Sequence, residues 1–376
     1  MKKIITCILL FCVFSICLSG TVSADETIRH RNAKTLGMGD AKIAGGFGYN
    51  GFVDNPALLS RVGLLRFSIV NIPITLNKNL VEISEFINDN SENFENFGED
   101  EFDEYGNYNE NYMSQEEKNA FLKDIVKQEG KWGKLIFSPL LGLAVNIRDY
   151  SVGLSVFNVS NVGLKMDRGI YEPRVWGEGY SNTAVVLGIA KPVFMLYPGL
   201  TVGVNLKYIN RRRANLFQIS ATDLGDFNKT IEPIVDEVKG NKNNTFATDI
   251  GTLWEIPMIN AEIGATFQSI GDGRGSSLDI GIAKRMASNR VILLADYIDF
   301  FDNNKENIFR KIHMGAQYKY AIFALRAGFN SGYPTVGIGF DSRIIDIDAA
   351  YYVEELSKSP GGNDEPRYIL QFKIGW

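Results

Sequence analysis

Tyr368-Ile-Leu-Gln-Phe-Lys-Ile-Gly-Trp376 closes the chain. Successive side chains of an extended strand point to opposite faces. Tyr368, Leu370, Phe372, Ile374 and Trp376 therefore share one face, and Gln371, Lys373 and Gly375 share the other. A strand of a soluble sandwich alternates too, but it turns its polar residues to water. Here the aromatic and aliphatic series runs unbroken to the last residue, which suits a strand with lipid on one side and a polar lumen on the other.

The same period of two recurs upstream. Leu200, Val202, Val204, Leu206 and Tyr208 oppose Thr201, Gly203, Asn205 and Lys207. Ile312, Met314, Ala316, Tyr318 and Tyr320 oppose Lys311, His313, Gly315, Gln317 and Lys319. Fourteen such segments are predicted, at 64–75, 135–148, 150–165, 179–193, 199–216, 246–256, 260–270, 276–285, 289–301, 308–319, 321–330, 334–341, 343–355 and 366–376. An even count is what a bacterial membrane barrel needs. No segment after the first 24 residues is long and apolar enough for a membrane helix. Lipid offers the backbone no hydrogen-bond partners, so a spanning sheet must close on itself. Long connections alternate with short ones over much of the chain, as when external loops alternate with periplasmic turns. The expected fold is all-β: a 14-stranded antiparallel transmembrane barrel over residues 63–376. Its last strand, with Tyr368, Phe372 and Trp376, resembles the C-terminal insertion signal of outer-membrane barrels, which implies the barrel-assembly machinery and outer-membrane lipid as partners.

Composition bounds the rest. The net charge of −5 gives no reason to expect a nucleic-acid partner. Residues 1–24 read as a secretory signal: Lys2 and Lys3, a mostly apolar run from Ile4 to Leu18, then Val22-Ser23-Ala24 as a small-residue cleavage site. All three cysteines, Cys7, Cys12 and Cys17, lie within it, so the chain beyond has no disulfide and no cysteine metal site. The first long connection, residues 77–131, holds 15 acidic and 5 basic residues. It is expected to be external and solvated, with a helix introduced by the capping box Ser114–Glu117 ahead of Phe121, Leu122, Ile125 and Val126. Glu101, Asp103 and Gly106 approach calcium-loop spacing, but Tyr105 and Tyr112 stand where ligands are required.

Residues 25–62 have a different character. They contain Leu36-Gly37-Met38-Gly39-Asp40-Ala41, a glycine-rich stretch to Gly51, and Asn55-Pro56-Ala57-Leu58-Leu59. Asn caps a helix and Pro fits its first turn, so Asn55 is predicted to start a short helix. Gly37 to Gly39 is not a nucleotide loop, because no Lys-Ser/Thr and no βαβ context follow. The Leu36–Ala41 and Asn55–Leu58 runs resemble the N-terminal hatch of the FadL-like superfamily, the long-chain fatty-acid transporters of the outer membrane. Within it the Asn-Pro-Ala-Leu-Leu form looks closest to the TraF-like branch, and PorV-like proteins start similarly. The resemblance implies a hatch that plugs the lumen of a 14-stranded barrel. Asp40 stands where many members carry another glycine, and Gly48-Tyr49-Asn50-Gly51 replaces their usual acidic pair.

Enzymatic chemistry has little to work with. The only histidines are His30 and His313, and zinc would lack ligands. A phospholipase needs a serine beside its histidine, and no motif supplies one for His313. No cofactor or metal is expected. The inward set mixes Lys207, Lys311, Lys319, Arg326 and Lys373 with Asp249, Glu262, Asp279, Asp296, Asp346 and Asp348. Near balance disfavours a strongly selective ion pore and suggests pairing across the lumen and to the hatch. Two functions remain: passive uptake of small hydrophobic compounds through a plugged barrel, or a scaffold for a secretion, conjugation or surface-attachment partner.

Overall fold

The computed structural model describes residues 29–46, 48–102, 105–169, 173–193, 198–220, 243–273, 275–342 and 344–375. The signal segment 1–24 and Trp376 lie outside them. The strands are β1 (Leu65–Asn77), β2 (Trp132–Phe137), β3 (Leu140–Ile147), β4 (Tyr150–Asp167), β5 (Arg174–Pro192), β6 (Leu200–Ser220), β7 (Asn243–Ile256), β8 (Ala261–Ile270), β9 (Ser277–Met286), β10 (Val291–Tyr297), β11 (Ile312–Tyr320), β12 (Phe323–Asn330), β13 (Tyr333–Asp341), β14 (Ile345–Glu355) and β15 (Asp364–Gly375). From β4 onward each pairs antiparallel with the next, and β15 returns to β1 with Leu76 opposite Tyr368 and Ile72 opposite Phe372. β2 and β3 both pair with β1 and with β4, so they are two halves of one stave. The closed sheet thus has the 14 staves expected, with no free edge.

Strand ends shift by up to about five residues from the sequence reading, as at Arg174 and Tyr297, and two differences bear on the site. The second stave is broken at Ser138–Pro139, because Pro139 has no N–H to give a ladder. The stave expected from 308 starts at Ile312, since Asn307 caps a helical turn, Ile308–Lys311, that sequence periodicity merges with the strand. Lys311 therefore stands at the mouth of its stave rather than within it.

The pleat sorts side chains as the alternation requires. Leu206 and Leu370 are each 57% exposed, while their neighbours Lys207 and Gln371 are buried inside. Among the described residues no helix is long and apolar enough to cross a membrane, so the outward apolar band belongs to the strands. The connections also sort by end. β3–β4, β7–β8, β9–β10 and β11–β12 are joined by tight turns at one end. The other end carries residues 78–131, 298–311 and 356–363, so the long end includes the β10–β11 connection that the sequence reading took as short.

The long connection after β1 is folded. Helices Lys78–Asp89, Ser91–Asn96 and Gln115–Val126 enclose Ile83, Phe94, Phe97, Met113, Phe121 and Ile125. Phe94 meets Phe121 edge-on at 4.9 Å. The capping box forms in full between Ser114 and Glu117. The first two helices went unforeseen, because acidic residues conceal their short apolar faces.

Candidate functional site: the lumen and a break in its wall

The N-terminal segment runs inside the barrel, and a set of inward glycines makes room for its backbone. A Cβ at Gly203 would lie 2.5 Å from the Pro56 carbonyl carbon, and one at Gly251 would lie 2.7 Å from Pro56 Cδ. Gly315 and Gly328 take Met38 and Gly39 in the same way, and Gly264 and Gly281 take Ile43 and Ala44. Asn55 holds the centre. Its Nδ2 donates to the Ile43 carbonyl at 2.8 Å and to Thr252 of β7 at 3.1 Å, and its Oδ1 accepts from Ala57 N–H at 3.1 Å. The turn it caps is a 3-10 helix, Pro56–Arg61. Asp40 adopts φ 61°, the left-handed region that favours glycine and that Asp tolerates better than most residues. Its carboxylate accepts from Thr35 Oγ1 and pairs with Lys42 at 3.2 Å.

Each singled-out residue has a definite place. Leu36, Gly37, Met38, Gly39, Asn55, Pro56, Ala57 and Leu58 all lie in the buried N-terminal segment. Lys207 pairs with Asp249 at 2.5 Å, and Arg326 with Asp348 at 2.7 Å. Lys373 pairs with Asp346 at 3.0 Å. Lys311 reaches Asp302 in its own loop at 2.6 Å. His313 Nδ1 lies 2.8 Å from the Gly39 carbonyl, so this ring touches the N-terminal segment, and no hydroxyl bonds to it among the described residues. Tyr368 and Phe372 face outward on β15.

The N-terminal segment supplies cations that the sequence reading did not single out. Lys34 reaches Asp341 at 2.5 Å and Asp346 at 3.2 Å. Arg31 pairs with Glu354 at 2.6 Å, and Arg61 meets Glu262. The carboxylate of Asp296 accepts the Lys42 and Ile43 amides at 2.5 and 2.9 Å. The signal available was the inward carboxylates themselves, which when buried need partners from the wall or from the segment inside it.

Most of these charges lie from β8 round to β15, with Lys207 and Asp249 on β6 and β7. The other side of the lumen carries an apolar strip, set among buried polar residues such as Asn158, Ser181 and Asn205. Phe52, Val53, Leu59 and Val62 of the N-terminal segment pack against Ile136, Leu140, Phe157, Val159, Ala184 and Val186 of the wall. Ile136 and Leu140 flank the broken stave. Between β1 and that stave, pairing stops at Ser68–Gly142 and resumes at Ile74–Phe137. Residues 69–73 face residues 138–141 with no ladder, bridged by Ser138 N–H donating to the Pro73 carbonyl at 3.1 Å. Neither Pro73 nor Pro139 has an N–H to offer. The opposite edge of the stave stays joined to β4, where Asn158 N–H donates to the Pro139 carbonyl at 3.0 Å.

On the side of the long connections lies a cavity of about 480 Å³. It touches the apolar strip at Val159 and Tyr180 and the charged side at Lys311 and Glu354. It is more polar than a simple hydrophobic pocket. His30 stands between the two, its ring 5.9 Å edge-on from Phe157. Burial, aided by nearby Lys42, pushes its pKa down to about 3, so the imidazole is neutral.

No protein-family model and no curated protein sequence matches the chain. Solved structures do. The toluene transporter TodX of Pseudomonas putida superimposes with a TM-score of 0.54 at 11% identity, over 94% of this chain and 99% of that one. A TodX deltaS2S3 mutant, described as a monoaromatic hydrocarbon channel, gives 0.53 at 11% identity over 92% and 98%. At this identity the likeness speaks for the fold, and it spans nearly the whole of each chain. The chain therefore shares the closed-barrel fold of TodX, here with 14 staves.

Proposed function

We propose that the protein is an outer-membrane barrel for passive uptake of small hydrophobic compounds. They enter from the side of the long connections and leave sideways through the wall at the β1–β2/β3 seam. The observation that carries this reading is the coincidence of the seam with the apolar strip of the lumen. A hydrophobic solute in the cavity meets Val159, Phe157, Leu140 and Ile136 in succession and then a stretch of wall without a hydrogen-bond ladder. Opening a paired wall would break backbone bonds in lipid, where nothing replaces them. Parting this seam breaks one. The N-terminal segment acts as the hatch. It blocks the axial path and is bound to the wall by ion pairs and by Asn55. The fold and the export signal over residues 1–24 both support an outer-membrane location.

The test is uptake of naphthalene into cells with an intact lipopolysaccharide outer membrane, with and without the protein. Expression should raise the initial rate severalfold without energy input, and an unchanged rate would refute transport.

One observation favours a second reading. The acidic connection 78–131 is folded round its own aromatic core, an ordered surface that a scaffold could offer to a secretion or conjugation partner, as in a TraF-like or PorV-like role. Excising residues 84–125 separates the two: transport should survive the loss, and a scaffold should fail.

A further inference from the structure

The cavity contains two hydrogen-bond acceptors with nothing to accept. His30 and Asn182 are 94% and 97% buried, and both line it. Among the described residues, His30 Nε2 and Asn182 Oδ1 have no hydrogen-bond partner. A neutral ring that donates through Nδ1 is left with a bare Nε2, which can only accept. Asn182 Oδ1 likewise only accepts. Buried acceptors left unmatched are costly, and a ligand that supplies the missing donor recovers that cost.

The cations round the cavity are each ion-paired, although among the described residues Arg29 Nε and Arg310 Nε have no hydrogen-bond partner. Arg29 pairs with Asp279 at 3.5 Å, Arg31 with Glu354 at 2.6 Å, Lys42 with Asp40 at 3.2 Å, Arg310 with Glu306 at 3.1 Å and Lys311 with Asp302 at 2.6 Å. A carboxylate ligand would bring no donor to His30 or Asn182, whereas a hydroxyl can donate to them and also accept from Arg29 Nε or Arg310 Nε. A plain hydrocarbon would leave both acceptors unmatched. Beside them Phe157, Val159 and Tyr180 offer an apolar wall leading to the seam.

From this pairing of bare acceptors with an apolar wall we propose that the cavity selects uncharged amphiphiles carrying an O–H or N–H donor, such as phenols or alcohols, in preference to hydrocarbons or carboxylates. The donor docks on His30 Nε2 and Asn182 Oδ1, and the apolar body lies along Phe157 towards the seam. This rests on the transport reading and names its substrate class.

The test compares 2-naphthol, naphthalene and 2-naphthoate, which share one ring system and differ in the group at one position. Binding to the purified full chain in nanodiscs is read by equilibrium dialysis with fluorescence detection. 2-Naphthol should bind about fivefold to tenfold more tightly than either competitor, the scale of one or two recovered hydrogen bonds. Asn182→Leu and His30→Phe, each checked for the heat-modifiable mobility of a folded barrel, should lower naphthol affinity towards that of naphthalene and leave naphthalene unchanged. Equal affinity for naphthol and naphthalene in the wild type would overturn the inference, as would preference for naphthoate. So would a naphthol advantage that persists in both variants. Naphthol preference without cellular uptake of any of the three would support this inference while refuting transport.

Discussion

Replacing Asn55 by Leu should undock the hatch while leaving the barrel wall intact. Asn55 is wholly buried, and its side chain makes three hydrogen bonds: two from Nδ2, to Ile43 and Thr252, and one to Oδ1 from Ala57. Leu fills a similar volume but makes none of them. The Ile43 carbonyl and the Ala57 amide lie inside the docked segment, and each buried group left unsatisfied costs about 1–3 kcal/mol. The lost helix cap is one of these same bonds and adds no separate cost. The docked hatch should therefore lose about 3–4 kcal/mol, and its opening equilibrium should rise about 10²- to 10³-fold, since each 1.4 kcal/mol is a factor of ten. The wall is spared because the Thr252 carbonyl belongs to a continuous β7–β8 ladder. Hydrogen exchange in nanodiscs reads both regions at once. Protection of amides 33–59 should fall by about that factor, and protection of β6 to β8 should not change. In planar bilayers the variant should show frequent openings rare in the wild type. Unchanged protection of residues 33–59, or equal loss in the wall, would refute the account of Asn55 as the hatch's central fastening.

Other consequences are equally direct. Single cysteines at 202, 204 and 206 should react with a lipid-phase probe and those at 203, 205 and 207 should not; equal labelling of both sets would sink the orientation of β6. Leu206→Arg, on the lipid face, should cost about 2–4 kcal/mol of barrel stability in a urea titration. Lys207→Leu, which alternation alone marks as mild, should cost about 3–5 kcal/mol because it strands the buried Asp249 carboxylate, and Lys207→Leu with Asp249→Leu should recover most of it. Protease added to intact cells should clip within residues 77–131, and cleavage only after lysis would reverse the topology. Deleting residues 25–60 should leave a folded barrel of higher conductance, and unchanged conductance would place the segment outside the conducting path.

The staves were legible in the sequence because lipid and lumen impose a strict period of two on each strand. Leu206 and Lys207 could be assigned to opposite faces without coordinates, and so could Leu370 and Gln371. The turn at Asn55-Pro56 was legible because its capping chemistry is local. The seam was not read. Pro139 lies within an otherwise regular apolar run, and only in the assembled wall does the break it makes in its stave meet Pro73, 66 positions away, which has no N–H to give across the seam. Lys34, Arg31 and Arg61 were missed for a similar reason, since their carboxylate partners lie hundreds of residues downstream. His30 and Asn182 carry no motif. Their meaning is that nothing reaches them, and that can be seen only when the whole cavity is assembled.

The central claim is that hydrophobic compounds leave through the β1–β2/β3 seam. The most direct measurement is uptake by the variant Pro73→Val, which restores to β1 an N–H facing the break, beside the carbonyl that already accepts from Ser138. The variant should fold as well as the wild type, show the same conductance with residues 25–60 deleted, and lose most of its naphthalene uptake in intact cells. Uptake at the wild-type rate through a wall whose amides 69–73 have become protected from exchange would contradict the lateral route.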